Sequence, residues 1–282
     1  MENEKYHIHI SSKHKLFDLK LKEVWQYRDL IWLFTKRSFT VAYKQTLLGP
    51  VWLILSPLLS SFVYTFLFGK IAGMDTDGIP QILFYLCGNA IWGHFANCFM
   101  GNAGTFTGNA GLFGKVYFPR LTTPLSVILT SCINFFIRMI LAYICLIYYT
   151  WTGAVHPSFM AILVIPVVLI HLGLLGMGIG IIASSFTTKY RDLNVFIGFA
   201  SSLWMYATPI VYPLSQVGDG WLKTVLIYNP VTPSIELFRL TLLGKGEILT
   251  LPLITSWIFT VVVLLIGIVI FNKIERTFMD TV

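Results

Sequence analysis

Six separate runs of largely apolar residues dominate this chain, at about Gly49 to Gly69, Ile82 to Met100, Leu125 to Tyr149, Met160 to Phe186, Leu193 to Tyr212 and Leu251 to Asn272. A bilayer core about 30 Å thick is crossed by about 20 such residues as a helix. In lipid every backbone N–H and C=O must also be paired within the protein. The runs therefore predict an all-α polytopic membrane protein with six transmembrane helices. Only 12% of the 282 residues are charged and 56% are hydrophobic, against about 25% charged in a soluble domain, and the mean hydropathy is +0.73. A soluble enzyme of this length could not cover so much apolar surface.

The net charge of +7 could suggest nucleic acid, but its distribution points elsewhere. Fifteen of the 20 Lys and Arg fall before the first run, in the second and fourth connections, or after the last run. Basic residues collect on the cytoplasmic side of membrane proteins, so both termini are expected in the cytosol. The surplus then faces anionic lipid headgroups, with no nucleic acid needed. Residues 1–47 lack the apolar core of a signal peptide. The expected organisation is a cytosolic tail at 1–19, a cytoplasmic interfacial helix and gate loop at 20–47, a six-span domain at 48–272 and a cytosolic tail at 273–282.

Three segments outside the runs carry information. From Lys20 to Tyr43, Leu21, Val24, Trp25, Ile31 and Trp32 share one helical face and Lys22, Glu23, Gln26 and Asp29 the opposite one. That pattern predicts a helix along the cytoplasmic leaflet. The second connection ends in Leu112, Phe113, Gly114, Lys115, Val116, Tyr117, Phe118, Pro119 and Arg120. An aromatic tip between Lys115 and Arg120, broken by Pro119, suits docking onto another protein. The long stretch from Pro213 to Thr250 holds two short apolar pieces, Trp221 to Tyr228 and Ser234 to Leu243. Neither can span, so both predict short re-entrant helices on the outer side.

None of the 13 carboxylates lies in an expected span, which argues against ion-coupled transport and intramembrane hydrolysis. No Walker A loop is present, because Lys115 is followed by Val116 and no Gly stands five residues before Gly114. Cys87, Cys98, Cys132 and Cys145 form no CxxC pair and sit in apolar sequence, as core residues do. No metal site and no catalytic residue are expected. Arg138 lies near the middle of its run, where it either meets an anionic substrate or holds helices together. Tyr64, Trp92, Trp204 and Tyr206 sit away from the interfaces that normally hold such rings, and their flat amphipathic faces could line a path for sugars. Gly176 and Gly180 predict a close helix crossing within the subunit.

Several motifs, taken in order, carry a resemblance: Tyr27-Arg28-Asp29-Leu30, the run from Tyr43 to Trp52, Lys115 to Arg120, Tyr190-Arg191-Asp192, Pro209 to Pro213, Asn229-Pro230, and Glu275 to Asp280. Together they resemble the membrane subunit of polysaccharide-exporting ABC transporters, over nearly the whole chain. The resemblance implies a homodimer of six-span subunits in the bacterial cytoplasmic (inner) membrane, joined by two copies of a cytosolic ATPase that binds ATP and magnesium. The permease itself binds no cofactor. It implies export of lipid-linked polysaccharide of the O-antigen, capsule or teichoic-acid type through a channel between protomers. In such proteins the turn matching Leu48-Gly49 helps form the cytoplasmic gate. The loop matching Leu112 to Arg120, with Tyr190, Arg191 and Asp192, couples to the ATPase. The short helices matching Trp221 to Leu243, with Asn229, Pro230 and Pro233, close the outer mouth. Gly111 and Gly114 depart from the pattern and leave the extent of the coupling helix open.

Arg37 and Lys44, beside that gate, are placed to attract the diphosphate of a lipid carrier, since phosphate favours such donors. A membrane-embedded glycosyltransferase or polymerase is the alternative from another class, with a passive channel as a third. A transferase would require clustered carboxylates or histidines in one compartment. On the outer side Asp75, Asp77, Asp219, Glu236 and Glu247 are scattered along the sequence.

Overall fold

Because lipid offers peptide groups no partners, apolar runs of this length can only be helices, and the computed structural model is all-helical among the residues it describes, 21–278 apart from 45, 48, 114, 115, 189 and 191. In chain order the helices are α1 Leu21–Gln26, α2 Arg28–Tyr43, α3 Trp52–Tyr64, α4 Gln81–Ala103, α5 Thr105–Phe113, α6 Thr122–Trp151, α7 Ala161–Thr187, α8 Leu193–Tyr206, α9 Trp221–Tyr228, α10 Thr232–Leu243 and α11 Thr250–Phe278. A π-helical segment, Thr65–Ile71, prolongs α3. Four stretches are long and apolar enough to cross a membrane: Trp52–Ile71, Thr122–Trp151, Ala161–Thr187 and Thr250–Lys273. The chain is thus an integral membrane protein.

The other two expected spans differ in instructive ways. Helix α4 is long, but it is the centre of the bundle and is buried on nearly every side. Surrounded by protein rather than lipid, it tolerates Asn89, His94, Asn97 and Asn102. Helix α8 stops at Tyr206, not Tyr212. Its 14 residues rise about 21 Å, short of a bilayer core. Pro209 lacks the N–H needed to continue a helix, and residues 207–213 fold as a turn. At the other extreme, α11 runs through Asn272 to Phe278 without a break.

Close helix approach explains the glycines. A Cβ on Gly180 would lie 2.5 Å from the Phe99 carbonyl oxygen, and one on Gly176 would lie 2.8 Å from Cys98 Cβ and 3.0 Å from Phe95 O. The GxxxG pair therefore seats α7 against α4 within the subunit, as expected, while Gly178 and Gly267 bring α7 against α11. Gly180→Ala should destabilise the protein by about 1–3 kcal/mol, because backbone cannot yield as a side chain does. Gly198→Ala in α8, with nothing within 4 Å, should be neutral or stabilising by up to about 1 kcal/mol. Melting of the two variants in detergent checks the contrast.

The predicted amphipathic helix forms as α1 and α2, but its apolar face is divided. Val24 and Ile31 are buried, with Tyr27, Leu30 and Phe34 packed beside them, whereas Trp25 and Trp32 are 70% and 59% exposed. A helix pressed onto a bundle at a membrane has two apolar neighbours, and hydropathy alone does not distinguish them. Helix α2 lies along α6, where the Thr35 hydroxyl donates to Ser126 O at 3.4 Å.

Helices α9 and α10 coincide closely with the two expected short pieces. Pro233 starts α10, where its missing N–H costs nothing, and Gly244 at φ +75° ends it. Nearly every residue of α10 is buried, Pro233 among them. Trp221 on α9 is 78% exposed.

Candidate functional site

The α9 end of the bundle contains a cavity of about 960 Å³, lined on one side by Trp204, Tyr206 and Tyr212 and on the other by Val225, Tyr228 and Asn229, with Pro230 at its edge. Its volume is at the upper end of the range that holds small ligands. Asn229 organises it. The side-chain oxygen accepts from Trp204 Nε1 at 3.1 Å and from the Val231 N–H at 3.2 Å; the amide nitrogen donates to Ala207 O at 2.8 Å and to Thr208 Oγ1 at 3.0 Å. One side chain therefore joins the end of α8 to the turn between α9 and α10. Trp204 is wedged edge-on against Phe95, with ring centroids 5.1 Å apart, and the Tyr212 hydroxyl donates to Tyr206 O at 3.0 Å. Apolar walls with few fixed polar groups suit an uncharged, hydroxyl-rich ligand whose ring faces can stack.

Sequence reasoning brought Trp204, Tyr206, Asn229 and Pro230 under two separate headings, and the fold puts them in one cavity. It missed Tyr212 and Tyr228. Both stand within or next to quoted motifs, but it takes the turn at 207–213 to place Tyr212 at the cavity and the end of α9 to place Tyr228 there. Trp92 and Tyr64, expected to line a path, do not line this cavity: Trp92 is 6% exposed against Phe95, and the half-buried Tyr64 meets Phe68 and Tyr85. Neither Trp221 nor Pro233 lines the cavity. Arg138 does not line it, its guanidinium lying over Gly93 of α4.

The opposite, α5 end is closed by aromatic side chains. Phe113 and Phe118 are 3% and 5% exposed and lie 5.8 Å apart. Phe118 meets Phe34 of α2 at 5.5 Å, and Phe106 of α5 meets Phe271 of α11 at 4.7 Å. Arg120, also buried, stands 5.2 Å over the Phe113 ring. The aromatic tip expected to present a docking face thus turns largely inward, because Pro119 folds the chain back and the ring faces gain more from each other than from solvent. Val116 and Tyr117 remain 56% and 59% exposed, Leu112 partly buried. Helix α5 runs from Thr105 to Phe113 with Gly111 inside it, and Gly114 lies outside the described residues. Lys115, Arg191 and Leu48 lie outside the described residues. Tyr190 is exposed, and Asp192 directly precedes α8. Arg37 and Lys44 are exposed at the end of α2, and Gly49 has φ +51°, a conformation that favours glycine.

The carboxylates that appear scattered in sequence partly converge. Asp77, Glu236 and Glu247 surround a cavity of about 330 Å³ together with Lys245. Two are committed to structural bonds: Ser215 Oγ donates to Asp77, and Arg239 Nη1 donates to Glu236 at 3.2 Å. The two buried histidines are likewise engaged, His94 with Leu169 O and His171 with Ser234 and Thr260. Among the described residues no group of His, Cys, Asp or Glu could hold a metal ion.

Comparison with known proteins gives these features a context. The sequence signature of the ABC-2 type transporter family matches residues 29–243. The chain is 30% identical over 259 residues to an O-antigen export system permease protein of Klebsiella pneumoniae, covering 89% of this chain and 94% of that one. A second Klebsiella pneumoniae protein of the same description is 29% identical over 254 residues, again covering 89% and 94%. An O-antigen export system permease protein of Myxococcus xanthus is 29% identical over 213 residues, or 75% of this chain and 79% of that one.

Proposed function

We propose, from the premise that this chain belongs to the ABC-2 type transporter family, that it is the permease subunit of an ATP-driven exporter of lipid-linked polysaccharide of the O-antigen type. It is a transport subunit, not a catalytic enzyme, and its energy comes from a separate ATPase that carries the ATP and magnesium. The observation that carries the substrate class is the cavity of about 960 Å³ walled by Trp204, Tyr206, Tyr212 and Tyr228. Ring faces accept sugars of many linkages and hold none of them tightly, as a passing polymer requires.

In this reading two protomers enclose the channel, and six membrane passages arise from the four long apolar helices together with α4 and α8. The Lys and Arg distribution supports an orientation in the bacterial inner membrane with both termini and the α5 end facing the cytosol and the α9 end facing outward. Helices α9 and α10 then close the outer mouth. Arg37, Lys44 and the Gly49 turn stand at the entrance for the lipid diphosphate. Leu112 to Arg120, with Tyr190 and Asp192, receive the ATPase. A transferase is disfavoured because Asp77 and Glu236 are already bonded within the fold.

The aromatic packing suggests how force is transmitted. Val116 and Tyr117 offer the exposed contact, while Phe118 is held between Phe113 and Phe34. Displacing the loop therefore moves α2, the helix that precedes α3 in the chain. Two classes of variant should separate contact from transmission. Val116→Asp with Tyr117→Ala should leave stability within about 0.5 kcal/mol, as exposed positions do, yet abolish copurification of the ATPase and surface display of polymer. Phe118→Ala should lower stability by about 3–5 kcal/mol. Undiminished copurification and display in the double variant would overturn the coupling role, and export without any ATPase would overturn the function.

A further inference from the structure

The turn between α9 and α10 is held from a second side, inside the bundle. His171 of α7 is fully buried. Its Nδ1 stands 2.7 Å from Ser234 Oγ of α10, and its Nε2 stands 3.2 Å from Ser256 Oγ and 3.0 Å from Thr260 Oγ1, both of α11. Ser256 Oγ also donates to Pro230 O in the turn itself. One imidazole thus gathers α7, α10, α11 and the turn, and Ser234, Ser256 and Thr260 are each 3% exposed or less. Counting hydrogens places the ring proton. The Ser256 hydroxyl gives its one hydrogen to Pro230 O, and the Thr260 hydroxyl donates its own to Ser256 O at 2.8 Å. Both oxygens therefore turn lone pairs toward Nε2, which carries the N–H, while Nδ1 is bare and accepts from Ser234. Every hydrogen is used once, and the imidazole needs no further partner.

We propose that His171 is a positioning residue of the transporter: it keeps α10 and the turn at Asn229 and Pro230 seated on α7 and α11, and so fixes the side on which the outer mouth opens. This rests on the reading that α9 and α10 close that mouth. The two sides of the turn are unequally held. Asn229 bonds Trp204 and Ala207, and all three line the cavity of about 960 Å³, where water or a sugar hydroxyl can replace each partner. No such replacement reaches Ser234 or Thr260, so parting them from His171 leaves buried polar groups unpaired, the costlier outcome. The mouth therefore opens by α8 leaving the turn, while the turn and α10 stay on the bundle. A polymer hydroxyl arriving in the cavity competes for Asn229 and favours that opening.

The test is the rate at which a membrane-impermeant maleimide, added outside intact cells carrying the full exporter, labels a cysteine placed at Val231, in the turn and fully buried. The four native cysteines are measured as background in the chain without it. Slow labelling of Val231→Cys is expected in the otherwise unchanged chain, because the turn stays seated. Adding His171→Phe should raise the rate by about tenfold, the shift in open population for loss of about one hydrogen bond, and should lower polymer display. Should His171→Phe fail to fold, Ser234→Ala with Ser256→Ala removes the same ties by smaller changes and should act alike. Gly180→Ala, which disturbs α7 at its contact with Phe99, is the control for general destabilisation and should leave the rate unchanged. A separate Trp221→Cys, at a position 78% exposed on α9, keeps the two readings apart. If it is not labelled from outside, the outer-mouth reading fails, and the Val231→Cys rates are then read in open membrane fragments. Fast labelling before any second substitution, unchanged labelling in either folded variant, or an equal rise in Gly180→Ala overturns the role of His171.

Discussion

Arg239→Met is expected to cost the fold about 3–5 kcal/mol, the range found when one member of a buried ion pair is removed. Arg239 is 2% exposed and Glu236 3%. The guanidinium donates to Glu236 Oε1 at 3.2 Å and to Ile210 O at 3.0 Å, and its Cζ stands 4.0 Å over the Phe84 ring. One side chain thus binds α10 to α4 and to the turn after α8. Burial already pushes the Glu236 carboxyl above its ordinary range, against the pull of Arg239, so without the cation it should take up a proton rather than stay ionised. Replacing both, as Glu236→Leu with Arg239→Met, should recover much of the loss, because two apolar groups leave no charge stranded. Melting temperatures of the single and double variants in detergent measure this. Equal losses in both would show that the Ile210 and Phe84 contacts matter more than the pair.

Asn229→Ala is expected to combine a stability loss of about 2–4 kcal/mol with loss of export. The first figure follows from four hydrogen bonds at about 0.5–1.5 kcal/mol each, reduced where water can replace the partner. The functional loss follows because the same bonds fix Trp204 and the α9–α10 turn as walls of the cavity. Asn229→Asp keeps the acceptor for Trp204 and the Val231 N–H but loses the two donated bonds, so its effect should be intermediate. Trp204→Phe preserves packing on Phe95 while releasing Asn229, and Trp204→Ala removes both. Polymer display should fall in the order wild type, Trp204→Phe, Trp204→Ala, with the last reduced about tenfold by loss of the stacking face. Full display in Trp204→Ala would remove that residue from the path, and full display in a destabilised Asn229→Ala would reduce Asn229 to a structural tie.

Much of the fold was legible from the chain alone. Apolar length gave the helices, and the Pro and Gly positions bounded α9 and α10 closely, because backbone geometry at those residues is a local property. Legibility failed where a residue's neighbours had to be known. Trp25 and Ile31 share one apolar face in sequence, yet Trp25 is exposed and Ile31 is buried in a cluster with Phe113 and Phe118. Phe118 reads as a docking tip, but its ring is buried between Phe113 and Phe34. Trp92 and Trp204 looked alike as candidate lining residues; only Trp204 reaches a cavity, because α8 ends two residues later and opens space beside it.

The sequence by itself determined that this is a helical membrane protein and that it holds no carboxylate in an expected span. Those follow from residue chemistry summed along the chain, which needs no contacts. Only the tertiary structure decided that Asn229 joins two distant segments around one cavity, that Arg239 and Glu236 pair in the interior, and that Arg138 lies over Gly93 of α4 instead of lining the aromatic cavity. Each depends on which helix faces which, and packing fixes that through close backbone approach at Gly176 and Gly180 and through the space that Gly93 leaves for the Arg138 side chain.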